Sequence, residues 1–391
     1  MTNFDKEYLE LVKKILNEGV EVPNRTGINT IKVPSHSFEF DLSKEFPILE
    51  TKQTFFKSAI IEMLWIWQMQ SNDVRDLHER NVHIWDEWMV DADGIYRIYE
   101  PKIPGKEYEY DPDREVVVLD PLSVGVDDPF GEFTPLKPKL DENGHVMTAK
   151  SLVPGKTIKA AKYYGKNFAY TIGTAYGFIT NRYKHTQSLI NTIKNNPTDR
   201  RMIKSLWQNE FLREAVLPSC VWSTEWDVTN GILNLQVHQR SCDVPLGLPF
   251  NVTQYATFLK MIAQVTGLEP GKISYSIKDA HIYIDQIEGM QEQLRREKLY
   301  NELSKESALN LIMKQKQMEY EIQALNKDSK EYKRMEADIR IIDLILKPST
   351  PTLELDSSIN DFFEFDNSKE LKHVKVKSYK HMGRIDMPRA Q

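Results

Sequence analysis

Apolar residues recur at helical spacing over residues 4–18 (Tyr8, Leu9, Leu11, Val12, Ile15, Leu16), interleaved with charged ones, and predict an amphipathic opening helix. Asn24-Arg25-Thr26-Gly27 reads as a turn. Ile31, Val33, Phe38 and Phe40 alternate with polar residues over 28–41 and predict strand. Ser58 to Met69 is an apolar helix with one anomaly, the carboxylate of Glu62 embedded in it. From about Pro101 to Pro154 the pattern breaks. Eight of the 19 prolines fall there, with acidic clusters at Asp111 to Glu115 and Asp127-Asp128 and a turn signal at Asp141-Glu142-Asn143-Gly144. We read residues 89–160 as an acidic, Pro-rich, hairpin-bearing insertion. Globular patterning resumes at Tyr163, with a helix over 184–195, strands through Val228, Leu233, Leu235 and Val237, and a buried helix from Val252 to Val265. From Gln286 to Lys347 the chain is highly charged, with Leu303, Leu309, Ile312, Met313, Met335, Ile339, Ile342 and Leu346 at three- and four-residue spacing. Asn326-Lys327-Asp328-Ser329 interrupts it, so the pattern predicts two antiparallel helices, a helical hairpin insertion over 295–345. That hairpin is either a solvated outer feature or packed on a second subunit. Strand-like alternation returns from Pro351.

With 391 residues, 40% of them hydrophobic and 28% charged, the chain can bury a large core. A net charge of -6 argues against a protein that coats nucleic acid and leaves room for a local basic pocket. With two cysteines and an N-terminus lacking a basic stretch followed by an apolar one, neither a disulfide scaffold nor a secretory signal is indicated, and a reducing cytoplasm is expected. The longest apolar run, Ala59 to Trp67, is broken by Glu62 and too short to cross a bilayer.

Candidate chemistry concentrates around Leu217-Pro218-Ser219-Cys220-Val221-Trp222 and the later stretch from Gln239-Arg240-Ser241-Cys242-Asp243 through Gly247 to Asn251. A lone cysteine more often packs as a small hydrophobe than acts as a nucleophile. A reactive thiolate needs cationic or dipolar surroundings, and Arg240 supplies them if the fold sets it beside Cys220. Cys242 has no proline or turn presenting it and is read as structural. Arg25, Arg200-Arg201 and Arg240-Ser241 stand in turn-like or strand-edge contexts, suited to gripping a phosphate dianion or, equally, to surface ion pairs. There is no Gly-rich phosphate loop. The nine histidines contain no His-x-x-x-His pair, so no metal is expected. Asp279, His281 and Tyr283 alternate as on a strand, and three polar side chains on one face favour a ligand-facing role over a satisfied network.

These segments closely resemble the thymidylate synthase family: Arg25-Thr26-Gly27, Thr51-Lys52, Glu62 in a Glu-x-Leu-Trp helix, His83-Ile84-Trp85-Asp86-Glu87-Trp88, Tyr176-Gly177, Asp199-Arg200-Arg201, Pro218-x-Cys220, Gln239 to Asn251, and Asp279-x-His281-x-Tyr283. They occur in family order on both sides of the two insertions. The resemblance implies one domain over 1–391 with an α/β (α+β) fold, a curved, mainly antiparallel sheet packed with helices, and an obligate homodimer through the sheet. It also implies dUMP as substrate and 5,10-methylenetetrahydrofolate as co-substrate, with no metal, no membrane and no nucleic acid. By resemblance Cys220 adds to C6 of the pyrimidine, and Glu62, Asp243 and Tyr176 complete the catalytic set. Arg25, Arg240 and Ser241 hold the phosphate, with Arg200 and Arg201 reaching it from the partner subunit. His281 and Tyr283 contact the deoxyribose hydroxyl. Asn251 reads uracil, since its amide both donates to O4 and accepts from N3–H, where cytosine-specific relatives carry aspartate. Lys52, Trp85, Trp88, Asp243 and Gly247 face the folate.

Two departures bear on the product. Val221 stands where the family usually has histidine, and the chain ends Pro388-Arg389-Ala390-Gln391 where synthases carry a small apolar end that closes over the ternary complex. A wetter closure lets water, rather than hydride, reach the exocyclic methylene. On this ground, and for its insertions, the chain looks like the deoxyuridylate hydroxymethylases of Bacillus phages, which make 5-hydroxymethyl-dUMP. The alternative is an ordinary thymidylate synthase making dTMP and dihydrofolate, favoured by the retention of Trp85. A more distant alternative, a catalytically dead nucleotide-binding or partner-binding protein, is opposed by the joint retention of Cys220, Glu62, Asp243 and Asn251.

Overall fold

The opening pattern folds as helix α1 (Asn3–Glu18), begun by Thr2, whose hydroxyl accepts from the Asp5 amide at 3.0 Å while the Asp5 carboxylate accepts from the Thr2 amide at 3.2 Å. The computed structural model describes residues 1–100, 110, 111, 113–131 and 133–389. Pro101, Pro104 and Pro112 of the Pro-rich stretch, and Ala390 and Gln391 of the tail, lie outside the described residues.

The main sheet joins β1 (Val20–Val22), β2 (Thr30–Asp41), β8 (Ile203–Ser205), β9 (Val221–Thr229), β10 (Ile232–Gln239), β11 (Cys242–Asp243) and β12 (Glu269–Tyr283), in the order β1-β2-β12-β10-β9-β8 with β11 beside β12. Most neighbours are antiparallel, as expected. β12 is the exception, running parallel to β10 and β11. α6 (Gly247–Thr266) packs on β10 and β12, as α1 does on β2 and β12; α2 (Phe56–Trp67) and α5 (His185–Asn195) pack on α6, and α3 (Val74–His78) and α4 (Gly177–Arg182) on α2. The core between them is aromatic. Trp67 stacks on Phe258 at 4.7 Å, and Phe258 meets Trp226 edge-on at 5.2 Å. Each such buried ring contributes about 2 to 3 kcal/mol.

The 89–160 segment holds most of a second, five-stranded sheet of β3 (Ile95–Tyr99), β4 (Glu115–Asp120), β5 (Lys137–Pro138), β6 (Thr148–Lys150) and β7 (Ile158–Tyr163). It has its own small core of Ile95, Val118, Ala149, Ile158 and Ala161. The turn read at Asp141 to Gly144 is there, closed by the Asp141 amide donating to the His145 carbonyl at 2.8 Å.

The helical segment departs from the expected pair. Three helices form, α7 (Ile287–Leu303), α8 (Ala308–Glu321) and α9 (Lys330–Leu346). The additional break falls at Ser304 to Ser307, where the Ser307 hydroxyl accepts from the Asn310 amide at 3.3 Å and restarts the helix. α7 also begins earlier than the expected hairpin and buries Met290, Gln293 and Arg296 against the core. β13 (Thr352–Leu355) and β14 (Val374–Lys377) make a separate two-stranded sheet near the end. Among the described residues no helix is long and apolar enough to cross a membrane.

Candidate active site

Cys220 and Arg240 meet because they flank the two outer ends of one hairpin. β9 and β10 are joined by Asn230-Gly231, both at positive φ (52° and 79°), in the two-residue turn whose twist suits paired strands. The ladder starts at Thr229–Ile232 and runs to Ser223–His238, where a register shift sets Val221 opposite Gln239. Residues distant in sequence thus become neighbours. The Arg240 amide donates to the Cys220 carbonyl at 2.8 Å, and Arg240 Nη2 lies 3.8 Å from Cys220 Sγ. The guanidinium is aimed by the carbonyls of Pro218 (2.7 Å) and Ser219 (3.1 Å) and lies over the Trp207 ring at 5.6 Å. Trp207 in turn touches Phe130 of the acidic segment, with ring centroids 5.9 Å apart.

Tyr176 supports the thiol from below. Its hydroxyl accepts from the Cys220 amide at 2.8 Å, and burial raises its pKa well above the ordinary value, so the phenol is neutral. The residue holds a positive φ of 45° just before α4. The next residue explains why: a Cβ on Gly177 would sit 1.7 Å from the Ser71 carbonyl oxygen, so only glycine allows this close approach. Cys242, 1% exposed, belongs to the core, whereas Cys220 is half-buried on the cavity wall.

A relay of side chains fixes the polar ceiling. Tyr275 donates to Gln239 Oε1 (2.5 Å), Gln239 Nε2 to Asn251 Oδ1 (3.3 Å), Asn251 Nδ2 to Gln254 Oε1 (3.0 Å), and Gln254 Nε2 to Glu62 Oε2. Trp85 Nε1 donates to the other Glu62 oxygen at 2.6 Å. Burial pushes the Glu62 pKa up to about 7, against the opposing effect of those two donors. The anomaly in the apolar helix is therefore a carboxyl group poised to exchange protons near neutrality.

Asp243 is held by the Leu246 amide (3.1 Å) and Gln286 Nε2 (3.2 Å), and burial raises its pKa. His281 and Tyr283 meet edge-on at 5.2 Å on β12. Asp279 bonds His281 Nδ1 at 3.1 Å and Lys32 Nζ at 2.9 Å, which hold its pKa down to about 2.

One cavity of about 670 Å³ collects these groups. Cys220, Glu62, Asp243, Tyr176, Arg25, Arg240, Ser241, Asn251, His281, Tyr283, Trp85, Trp88 and Gly247 all line it, as does the C-terminal segment from Arg384 to Met387 with Arg389. Three expected residues do not. Arg201 is 86% exposed and paired with Asp199 at 2.9 Å, and Arg200 beside it is also exposed, so neither reaches the cavity of its own chain. Lys52 is buried and is not among the residues that line the cavity. Its ammonium meets the Pro245 carbonyl, and burial lowers its pKa to about 8 while nearby Asp243 opposes the shift. Gln254 and Gln286, which hold Glu62 and Asp243, carried no signal of their own in sequence.

Among the described residues one set has metal-ligand composition: His78, His83 and Asp86, with candidate atoms within 4.8 Å of one another. Both imidazoles already bond Asp86, at 2.6 and 3.1 Å, and none of the three lines the cavity.

The sequence matches the family described as Thymidylate synthase over residues 6–341. A Clostridium beijerinckii protein named thymidylate synthase is 36% identical over 296 residues, covering 76% of this chain and 83% of its own. Bacillus phage phi3T has a protein of the same name, 32% identical over 316 residues, with 76% and 85% covered. A solved structure, thermostable thymidylate synthase A from Bacillus subtilis, superposes with a TM-score of 0.59 at 28% identity, covering 97% of each chain.

Proposed function

The chain belongs to the thymidylate synthase family, folate-dependent enzymes that transfer a one-carbon unit to C5 of dUMP, and we infer that its product is dTMP, with dihydrofolate leaving alongside. Cys220 Sγ adds to C6 of the pyrimidine, and C5 becomes nucleophilic toward the methylene carbon of 5,10-methylenetetrahydrofolate. Arg240, aimed by two carbonyls and an indole face, holds the phosphate together with Ser241 and Arg25. Arg200 and Arg201, solvent-facing in their own chain, reach the phosphate of the partner subunit. Asn251, oriented by Gln239 and Gln254, reads the uracil edge. Glu62 moves protons at C5 and O4, His281 and Tyr283 bind the sugar hydroxyl, and Asp243, Trp85, Trp88 and Gly247 face the folate. The chain acts as one domain, with 89–160 and 295–345 as additions to it.

The observation that carries dTMP over 5-hydroxymethyl-dUMP is the C-terminal segment, which lies on the cavity wall through Met387 and is bonded at the Pro388 carbonyl by Gln286 Nε2 at 3.1 Å. A covered cavity with the Trp85 indole in its wall keeps water from the exocyclic methylene while hydride arrives from tetrahydrofolate. The hydroxymethylase reading retains as support the exposed guanidinium of Arg389 at the cavity edge, Val221 beside the nucleophile and the two insertions. Incubation with dUMP and methylenetetrahydrofolate, following product mass and dihydrofolate absorbance together, decides between them. We expect a methylated product in step with dihydrofolate. A product heavier by one oxygen, without dihydrofolate, overturns the synthase reading.

A further inference from the structure

Helix α7 touches the C-terminal segment along a single stripe. The cap residue Gln286 and, within the helix, Gly289, Gln293 and Arg296 follow at intervals of three, four and three residues and so share one face. Gln286 Nε2 donates to the Pro388 carbonyl at 3.1 Å and to Asp243 at 3.2 Å, linking the tail directly to a cavity residue. Gly289 leaves the space that Met387 fills, since a Cβ there would lie 2.7 Å from Met387 Cγ. Arg296, 3% exposed, donates from Nη1 to the carbonyls of Gly383 (3.0 Å) and Thr51 (2.9 Å) and from Nη2 to that of Arg384 (3.4 Å). Gln293 Nε2 bonds the Thr51 hydroxyl at 2.7 Å, so the base of the tail and the Thr51 bend before α2 are fastened to the same stripe.

The fastening extends outward. Glu292 bonds Arg296 Nε at 3.0 Å and Arg295 Nε at 2.8 Å, and Arg295 Nη2 reaches Asp338 on α9 at 2.7 Å. A continuous charged network thus runs from α9, through α7, to the carbonyls at the base of the tail. Three backbone acceptors converging on one buried guanidinium is a strong, geometrically demanding arrangement.

We propose that this α7 stripe is the device that seats the C-terminal segment over the cavity, with Arg296 and Gly289 as positioning residues that act through the tail on the folate half of the site. The nucleotide half is built on the β9–β10 hairpin and β12 and meets the stripe at Gln286, whose Oε1 accepts from the Tyr283 amide at 3.1 Å; Gly289 and Arg296 lie further along it. The proposal rests on reading the cavity as a site for dUMP and folate, and its test separates the two.

Arg296→Met removes the anchor, Arg296→Lys keeps its charge with only part of its hydrogen bonding, and Gly289→Leu displaces Met387 without removing a buried charge. For Arg296→Met and Gly289→Leu we expect faster tryptic removal of the tail at Arg384 and a rise of about tenfold or more in the folate KM, the loss of charge-assisted hydrogen bonds being worth at least that in the first and the overpacking against Met387 a comparable amount in the second. Binding of dUMP alone should change less than about twofold, and Arg296→Lys should fall between. A Gly289→Leu protein with wild-type tail cleavage, or with an unchanged folate KM, overturns the proposal, as does a parallel loss of dUMP binding. Wild-type protein without turnover condemns the functional reading instead, and tail cleavage still decides the seating.

Discussion

Glu62 keeps its proton to about pH 7 because burial outweighs the two donors that favour its anion. The folded state therefore binds this proton more tightly than the unfolded chain does. Its stabilising contribution is complete below the ordinary value of 4.5 and is lost as pH rises through about 7. Glu62→Gln keeps the shape without the titration. We expect the variant to gain stability relative to the parent between pH 5 and pH 8, by on the order of 1 to 3 kcal/mol, in denaturant titrations at the two pH values. A pH-independent difference would show that Glu62 ionises normally in place. The same substitution should lower kcat by about 10² or more, the usual scale for a positioned acid–base group. Glu62 was legible in sequence because a carboxylate in an apolar helix violates the burial rule. Gln254 and Gln286 were not, since a glutamine on a helix is unremarkable until the fold shows which carboxylate it touches. Lys52 was placed by resemblance on the folate face, and only the fold shows it buried, with its ammonium on the Pro245 carbonyl and outside the cavity lining.

At the scale of elements, periodicity found α1, α2, α5 and α6, each of which buries a mainly apolar face with one or a few polar residues in it. It blurred the helical segment, where Ser304 to Ser307 looks like any charged stretch. The break there is made by a side-chain cap on a serine, which a pattern of apolar positions does not register. The five-stranded sheet was legible only as a composition change with one turn in it. Its strands are short, its core is small, and β4 lies parallel to β7, a pairing that local alternation cannot reveal. The meeting of Cys220 and Arg240 has a local signal in the sequence. Asn230-Gly231 is a strong two-residue hairpin signal; counting outward from it brings Cys220 opposite Ser241, and the register shift after His238 moves Arg240 into that place. Register, more than resemblance, makes that pair a site.

For the whole molecule, the solvent-facing Arg200 and Arg201 and the phosphate site proposed for the cavity-lining Arg25, Arg240 and Ser241 argue for an enzyme completed by its twin. The family is typically dimeric, and a mixing experiment tests whether sites are shared. Neither a Cys220→Ala protein nor an Arg200→Ala, Arg201→Ala protein should turn over well alone. When the two are unfolded together and refolded, heterodimers carry one site with both the thiol and the partner's arginines, and activity should return. No recovery would place those arginines outside the phosphate site. The unequal burial of the two thiols has a practical consequence. Cys242 is sealed in the core while Cys220 opens on the cavity, so in the folded protein a mild thiol reagent should consume one equivalent per chain, and a second only on unfolding. Saturating dUMP should slow the first equivalent and leave the second untouched. The chain is then its own gauge: the fast thiol counts competent sites in any preparation, and its protection measures nucleotide binding with no label added.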